Sequence, residues 1–276
     1  MSNNSTKIEE IKRIISSRTK KTNCFSFFNE VCEWLENDKA DYYLMDDSIF
    51  LFYKANGFYK FYYYVDYFED IKLANDLLEK YSLTNKVILE FTTKNNQNLD
   101  SLINTLNQSK FEIYSELVRL YQGRNVLGPI QQNNNIYELA TIDDKNELLE
   151  IMHREFDILK DNIPTEDELI DLIKNKSIII KHIENQIVLI QIYEYTKESL
   201  YSRMTWIRKE YRKPKYTVDF HSEMGKFVQD LNIIKSDNFK SYGWIDKNNR
   251  NLKINLKMGA RLDGITCTIF LYKTNN

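Results

Sequence analysis

The chain is short of glycine, proline, histidine and cysteine: its 276 residues include seven glycines, three prolines, three histidines and three cysteines. So few glycines exclude binding motifs built from several of them, and so few breaker residues favour long helices and strands. The histidines form neither an HExxH motif nor a His/Cys cluster, so we expect no metal site. The cysteines lack CxxC spacing and are predicted to be buried, reduced thiols.

Long apolar runs are missing too. The longest apolar segments, such as residues 178–180 and 187–190, are short and strand-like, which argues against a transmembrane helix. Residues 1–6 are polar and lack the apolar core of a signal peptide, so we expect a cytoplasmic protein with no membrane partner. The net charge of −2 lacks the basic excess of most nucleic-acid-binding proteins, and no nucleic-acid partner is predicted.

What the chain does contain is a regular succession of helical and strand patterns, with 42% hydrophobic and 28% charged residues. Residues 58–68 form an aromatic run dense in β-prone residues, which predicts a central strand. The polar stretch around Gly123, Gly128 and Pro129 predicts a linker. We therefore expect an N-terminal lobe over residues 1–122, a linker over residues 123–135 and a C-terminal domain over residues 136–276.

The second half has the fuller pattern. Its predicted order is a strand, two helices, three strands, a basic loop leading into a helix, then strand, helix and strand. Thr165 and Glu168 have the spacing of a capping box at the start of the second helix. Residues 177–183 and 187–195 are predicted to form a hairpin around Glu184 and Asn185.

A six-residue segment occurs twice. Residues 94–99 read KNNQNL and residues 247–252 read KNNRNL, and each copy follows a predicted strand and starts a predicted helix. Coincidence in an Asn-rich chain is one explanation. The matching context on both sides favours the other, two related halves.

Two segments of the second half resemble the GNAT acyltransferase superfamily. Residues 207–217, IRKEYRKPKYT, match its strand–loop–helix signature at Ile207, Tyr211 and Arg212, whereas Lys215 and Thr217 replace its two glycines. Residues 248–260 are similar to its C-terminal tail. The matching positions there are Asn248, Leu252, Ile254, Lys257 and Gly259, and Asn255 stands where the family often has a tyrosine general acid.

The resemblance implies an α/β (α+β) fold of two GNAT-like lobes, each a mixed, mostly antiparallel sheet flanked by helices. It implies an acyl-CoA-dependent N-acyltransferase, most simply an acetyltransferase, that uses acetyl-CoA or another acyl-CoA as co-substrate. The partner would be a small-molecule or peptide amine. In the mechanism that the resemblance implies, this amine attacks the thioester carbonyl directly, without a covalent enzyme intermediate. The alternative is a catalytically inactive GNAT-fold protein that serves as a binding or scaffold module.

A helix N-terminus offers free N–H groups and a partial positive charge to a pyrophosphate, and basic side chains can supplement it. Here Pro214 removes one N–H donor, and five cations lie between residues 208 and 215. A solvated basic loop without a ligand is the alternative. The residues predicted to bind the acyl-CoA are Trp206, Ile207, Arg208, Arg212, Lys213, Lys215, Tyr216, Thr217 and Asn248.

Two further expectations concern carboxylates. Glu194, on the strand next to the predicted cofactor strand, is the candidate general base, and a solvated surface glutamate is the alternative. In the first half, Asp66, Glu69 and Asp70 precede the corresponding helix, where acids oppose a phosphate. Acyl-CoA is therefore expected to bind the C-terminal half alone.

Overall fold

A computed structural model of the chain describes residues 2–123, 137–196, 199–230 and 239–274. The chain forms two compact units, residues 1–117 together with 264–276, and residues 118–263. The predicted linker lies, from residue 124 onward, outside the described residues. The sequence predicts residues 264–276 in the C-terminal domain. They lie instead in the first unit, because the last strand pairs with a strand of that unit.

The first unit is a sheet with helices on both faces. Its elements in chain order are α1 (Ser2–Ser17), β1 (Lys21–Thr22), α2 (Phe28–Glu36), β2 (Ala40–Met45), β3 (Ser48–Lys54), β4 (Phe58–Val65), a 3₁₀ turn (Phe68–Ala74), α3 (Asn75–Ser82), β5 (Lys86–Lys94), α4 (Leu99–Gln108) and β6 (Phe111–Gly123). β6 continues into the second unit, and the last strand, β12 (Arg261–Tyr272), returns from it.

The sheet of the first unit has the order β2–β3–β4–β5–β12. Strands β4 and β5 are parallel, whereas the other described pairs of this unit are antiparallel. β12 is fixed by seven consecutive positions, Ile265 to Leu271, opposite β5.

The second unit repeats this plan. Its elements are β7 (Glu138–Leu139), a 3₁₀ turn (Ile142–Asp144), α5 (Lys145–Glu155), α6 (Glu166–Lys174), β8 (Ile178–Ile183), β9 (Gln186–Tyr195), β10 (Ser199–Ile207), a 3₁₀ turn (Lys209–Tyr211), α7 (Pro214–Asp230), β11 (Lys240–Asp246) and α8 (Asn251–Lys257). The sheet order is β7–β8–β9–β10–β11, and β10 and β11 are its parallel pair. From the hairpin β2–β3 or β8–β9 onward, the two units have the same order of elements.

Alternating side chains bury both faces of each sheet. In the second unit, Ile178, Ile180 and Trp206 pack toward α5 and α6, whereas Ile179 and Val188 pack toward α7. Strands buried on both faces read as near-continuous apolar runs, which explains residues 178–180 and 187–190. The apolar residues of α7 are spaced so that they share one face of the helix, and this face is buried at four positions; Leu231, which continues the same spacing, lies outside the described residues. Those positions are Phe220, Met224, Phe227 and Val228.

The first unit has an aromatic core. Phe50, Phe52, Phe61 and Tyr63 lie on one face of β3 and β4 and pack with α3 and α4. The predicted strand over residues 58–68 ends earlier than expected, at Val65, because the chain turns into a 3₁₀ helix. The aromatic run is therefore mainly a core strand.

The repeated KNN segments occupy the same place in the two units. Each follows the strand that is parallel to its predecessor, β5 or β11, and each leads into the next helix, α4 or α8. Their backbones differ: Asn95, Asn96 and Asn98 are left-handed, with φ of 53°, 58° and 63°, whereas residues 247–252, all described, contain no positive φ.

The capping box at α6 is confirmed: the Thr165 hydroxyl accepts a hydrogen bond from the Glu168 N–H (3.3 Å), and the Glu168 carboxylate accepts one from the Thr165 N–H (3.1 Å). We predict that Thr165→Ala lowers the free energy of unfolding by about 1 kcal/mol, because the exposed Thr165 contributes chiefly through this cap. Thr165→Ser retains the hydroxyl and should differ little from the natural chain in urea unfolding. Equal losses in both variants would contradict the cap as the cause.

Candidate functional site

The parallel strands β10 and β11 separate before they end. They pair over four positions, from Ser199 opposite Lys240 to Ser202 opposite Gly243. β10 then continues to Ile207 and β11 to Asp246, but no further positions of the two strands pair with each other. At the last pair the strands are close: a Cβ on Gly243 would lie 3.1 Å from the Ser202 carbonyl oxygen. A cleft between the two strands therefore opens just beyond this glycine.

A β-bulge marks the same point. The register of β10 against β9 shifts between Ser202 and Met204, which leaves Arg203 as the extra residue. Its guanidinium donates from Nε and Nη2 to the carbonyl oxygen of Asn162 (3.1 and 2.9 Å) and from Nη1 to Glu194 Oε1 (3.1 Å). The bulge thus ties β10 to the α5–α6 connection, residues 156–165. The sequence contains no local signal for this role of Arg203.

The α5–α6 connection also reaches the other strand of the cleft. Lys160 Nζ lies 3.1 Å from Asp246 Oδ2 at the end of β11. Within the connection, Asp161 accepts a hydrogen bond from the Asp157 N–H (2.7 Å), and burial raises the pKa of the Asp161 carboxyl. This connection forms a polar wall that contacts both separated strands.

Trp206 joins the core to this wall. Met204 and Trp206 are buried in the cluster beneath α5 and α6, as expected for core residues. The indole N–H of Trp206 is buried without a hydrogen-bond partner among the described residues, and it lies near Glu155 at the end of α5. The Arg154 guanidinium, 3.1 Å from the Glu155 carboxylate, and then this indole N–H lower the pKa of Glu155. The end of β10 therefore has an apolar base and a charged border.

The basic loop, residues 208–216, leads from β10 into α7 and makes hydrogen bonds to β9 and β10. Arg208 N–H donates to the Val188 carbonyl (2.8 Å), and Arg212 Nε donates to the Ile207 carbonyl (2.7 Å). The Arg208 guanidinium also donates to the Gln186 side chain. Lys209, Arg212 and Lys213 are exposed at the surface.

The structure brings several predicted residues together in this loop and separates others. Trp206 and Ile207 end β10, and Arg208, Arg212 and Lys213 follow directly. Tyr216 packs against the core beside Tyr211, with ring centroids 5.2 Å apart, so its ring supports the loop from below. The side chains of Lys215 and Thr217 lie outside the described residues.

The remaining predicted residues lie outside the basic loop. Asn248 is exposed in the turn after β11, where its N–H donates to Asp246 Oδ1 (2.8 Å). Glu194 lies opposite Tyr201, one position before β10 and β11 separate, and is held by Arg203. The Asn255 side-chain amide donates to the Asn251 carbonyl (2.9 Å) and is thereby bound to its own helix.

The cysteines are not arranged for chemistry. Burial raises the pKa of Cys24 and raises that of Cys267 to about 12, so these thiols are protonated at neutral pH. Cys32, predicted to be buried, is half-buried. Among the described residues, no group of three His, Cys, Asp or Glu side chains is placed to hold a metal ion. No described helix is long and apolar enough to cross a bilayer.

No protein-family model and no curated protein matches the sequence significantly. Solved structures do match. A tandem GNAT protein from the clavulanic acid biosynthesis pathway is similar with a TM-score of 0.57 at 7% identity, over 100% of this chain and 97% of that one. A GCN5-related N-acetyltransferase from Sphaerobacter thermophilus is similar with a TM-score of 0.55 at 10% identity, over 91% of this chain and 88% of that one.

A third match, a GCN5-related N-acetyltransferase from Kribbella flavida, has a TM-score of 0.55 at 8% identity, over 87% of this chain and 91% of that one. The chain has the GNAT fold. The predicted fold class is therefore confirmed, including the mostly antiparallel sheets with flanking helices. In this GNAT fold the basic loop, α7 and the cleft between β10 and β11 adjoin one another.

The two side chains of the Arg203–Glu194 ion pair differ in exposure: that of Arg203 is 9% exposed, and that of Glu194 is 45% exposed. We predict that Arg203→Lys lowers the free energy of unfolding by about 1.5–3 kcal/mol, because a lysine cannot reproduce the forked hydrogen bonds to Asn162. Glu194→Gln should cost less than about 1 kcal/mol, as for exposed ion pairs. Urea unfolding of both variants measures this, and equal losses would disprove the anchoring role of Arg203.

Proposed function

We propose that the second unit is an acyl-CoA-dependent N-acyltransferase domain that transfers an acyl group, most simply acetyl, to an amine. The observation that supports this most is the separation of β10 and β11 directly before the basic loop. Beyond Ser202, the edge of β10 that faces β11 has no strand partner among the described residues. Such an edge offers N–H and C=O groups to an extended ligand, and the pantetheine arm of CoA carries amides that can pair with it.

The phosphate end of the ligand would lie at the loop and α7. This helix has 17 residues, and its N-terminus carries a partial positive charge. Pro214 occupies the first helical position, where a missing N–H is tolerated. The exposed side chains of Lys209, Arg212 and Lys213 would supply charge-assisted contacts in place of the family's glycine amides. These residues fit a pyrophosphate group.

The acyl-CoA supplies a thioester carbonyl: the neutral amine nitrogen forms a bond to the carbonyl carbon, the carbon–sulfur bond breaks, and CoA leaves as a thiolate that takes a proton from solvent. The edge of β10 orients the ligand, and the buried side chains of Met204 and Trp206 keep water from one side of the cleft. The carboxylates of Glu155 and Asp157 near the α5–α6 connection favour a cationic amine, from a small molecule or a peptide. Glu194, held by Arg203, is the proposed proton acceptor, acting through water.

A second candidate is a domain that binds acyl-CoA without transferring the acyl group. Asn255 favours it: a carboxamide has no proton to give to a leaving thiolate at neutral pH, and this one is bound to the Asn251 carbonyl. Under this proposal the cleft and the basic loop retain their binding role. The two candidates differ in turnover and not in affinity.

We predict that Arg212→Ala combined with Lys213→Ala weakens acetyl-CoA binding at least about tenfold, since each charge-assisted contact contributes roughly 1.5–3 kcal/mol. Isothermal titration calorimetry measures it, and added salt should weaken binding to the natural chain. Lys226→Ala is the matched control, because Lys226 lies on the same helix but pairs with Asp230 at its far end. Equal binding by the double variant and this control would contradict the proposed phosphate site.

Turnover separates the two candidates. We expect the natural chain to release free thiol from acetyl-CoA when small amines or peptides are supplied, and Glu194→Gln to slow this release at unchanged acetyl-CoA affinity. A thiol-reactive chromophore follows the reaction. Binding without amine-dependent thiol release would establish the second candidate, and absence of binding would contradict both.

A further inference from the structure

The first unit contains a second parallel pair that separates. β4 and β5 pair over three positions, from Phe58 opposite Lys86 to Lys60 opposite Ile88. β4 then continues to Val65 and β5 to Lys94. In the order of elements, β4 and β5 correspond to β10 and β11 of the second unit. The first unit therefore has its own cleft between diverging strands.

In the first unit, one asparagine bridges the diverging strands. Asn23 Nδ2 donates to the Phe61 carbonyl of β4 (2.9 Å) and to the Glu90 carbonyl of β5 (3.2 Å). Its Oδ1 accepts from the Tyr63 N–H of β4 (2.9 Å). Asn23 is 3% exposed, so a single amide supplies both strands with partners in the interior.

The residues before Asn23 extend this contact along β4. Thr22 and Lys21, which form β1, pair with Tyr64 and Val65 in antiparallel register. They pair with the edge of β4 that faces β5, beyond the last position at which β4 and β5 pair with each other. Residues 20–23, here called the plug, thus run along the strand edge in the way proposed for an extended ligand on β10.

The plug also covers the turn after β4. Lys20 Nζ lies 2.7 Å from Asp66 Oδ2, and Lys21 Nζ lies 4.7 Å from the centre of the Phe68 ring. This turn is the counterpart of the basic loop of the second unit. One of its three acidic residues, Asp66, pairs with a lysine of the plug, and the other two, Glu69 and Asp70, oppose a phosphate.

The plug comes from the α1–α2 connection, residues 18–27. The corresponding connection of the second unit, residues 156–165, takes a different course. It is fixed beside the cleft, through the Asn162 carbonyl on Arg203 and through Lys160 on Asp246. Corresponding connections thus have different roles: residues 18–27 fill the cleft of the first unit, whereas residues 156–165 border the cleft of the second.

We propose that the plug is a permanent internal occupant of the first unit's cleft, so that this unit binds no acyl-CoA and depends on the plug for stability. An entering ligand would have to break the three Asn23 hydrogen bonds, the β1 pairing and the Lys20–Asp66 ion pair together. It would also have to replace them along the two facing strand edges, which no other described strand pairs at this point. The proposal concerns the first unit and does not require activity in the second.

The first test is thermal unfolding with hydrogen exchange of residues 58–65. Asn23→Ala should lower Tm by about 5–10 °C, because buried N–H and C=O groups lose their partners, and should speed exchange in β4. Asn23→Asp retains the shape and the acceptor but loses the donor, so it should destabilise the chain as Asn23→Ala does. Asn104→Ala, at an exposed position of α4 in the same unit, is the control and should shift Tm by less than about 2 °C. Tm values for both Asn23 variants near that of the control would overturn the proposal.

The second test needs no variant, and so remains available if the Asn23 variants fail to fold. Hydrogen exchange of the natural chain is measured with and without acetyl-CoA. Residues 58–68 should show no added protection, and any protection should lie in residues 204–217. Protection of residues 58–68 would overturn the plug proposal. Lack of protection anywhere would contradict the proposed function alone, since closure of the first unit predicts that result for its own cleft.

Discussion

A parallel strand pair that separates before its strands end leaves backbone N–H and C=O groups without ladder partners, and buried groups of this kind must find others. This constraint applies in both units, where β4 separates from β5 and where β10 separates from β11. In the first unit Asn23 and β1 satisfy it from within the chain. In the second unit no described strand takes that place. Among the described residues, the chain thus fills the gap between its separated strands in the first unit and not in the second.

Local patterns in the sequence were sufficient for most elements of the fold. The hairpin predicted around Glu184 and Asn185 is present, and both residues have left-handed φ, 51° and 59°, as a two-residue turn of this type requires. The spacing of apolar residues indicates helix α7, and the capping box of Thr165 and Glu168 indicates where helix α6 begins. The assignment of β12 to the first unit could not be found in this way. Its place depends on pairing with β5, about 170 residues earlier in the chain, and nothing local to β12 specifies that partner.

The candidate site could be predicted less completely from the sequence, because it too depends on contacts between residues that are distant in the chain. The basic loop was recognised from its resemblance to a family signature, and the ligand contacts predicted for it remain predictions. No local pattern in the sequence indicates the structural roles of Arg203 and Asn23. A bulge is defined by the register between two strands, and an asparagine in a connection is ordinarily a surface residue. Asn23 is buried only because three backbone groups from two strands converge on its amide.

Charge gives the two clefts opposite character. Acids after β4 oppose a phosphate, but the structure also shows what they bind. Asp66 pairs with Lys20 of the plug, and Asp70 accepts the Tyr67 N–H (2.9 Å) at the start of the 3₁₀ turn. In the second unit the corresponding loop is basic, and the lysine of the adjoining connection, Lys160, is directed to Asp246 on β11. Each loop thus has the charge opposite to its proposed occupant: an acidic turn for a lysine-bearing segment of the chain, and a basic loop for an anionic ligand.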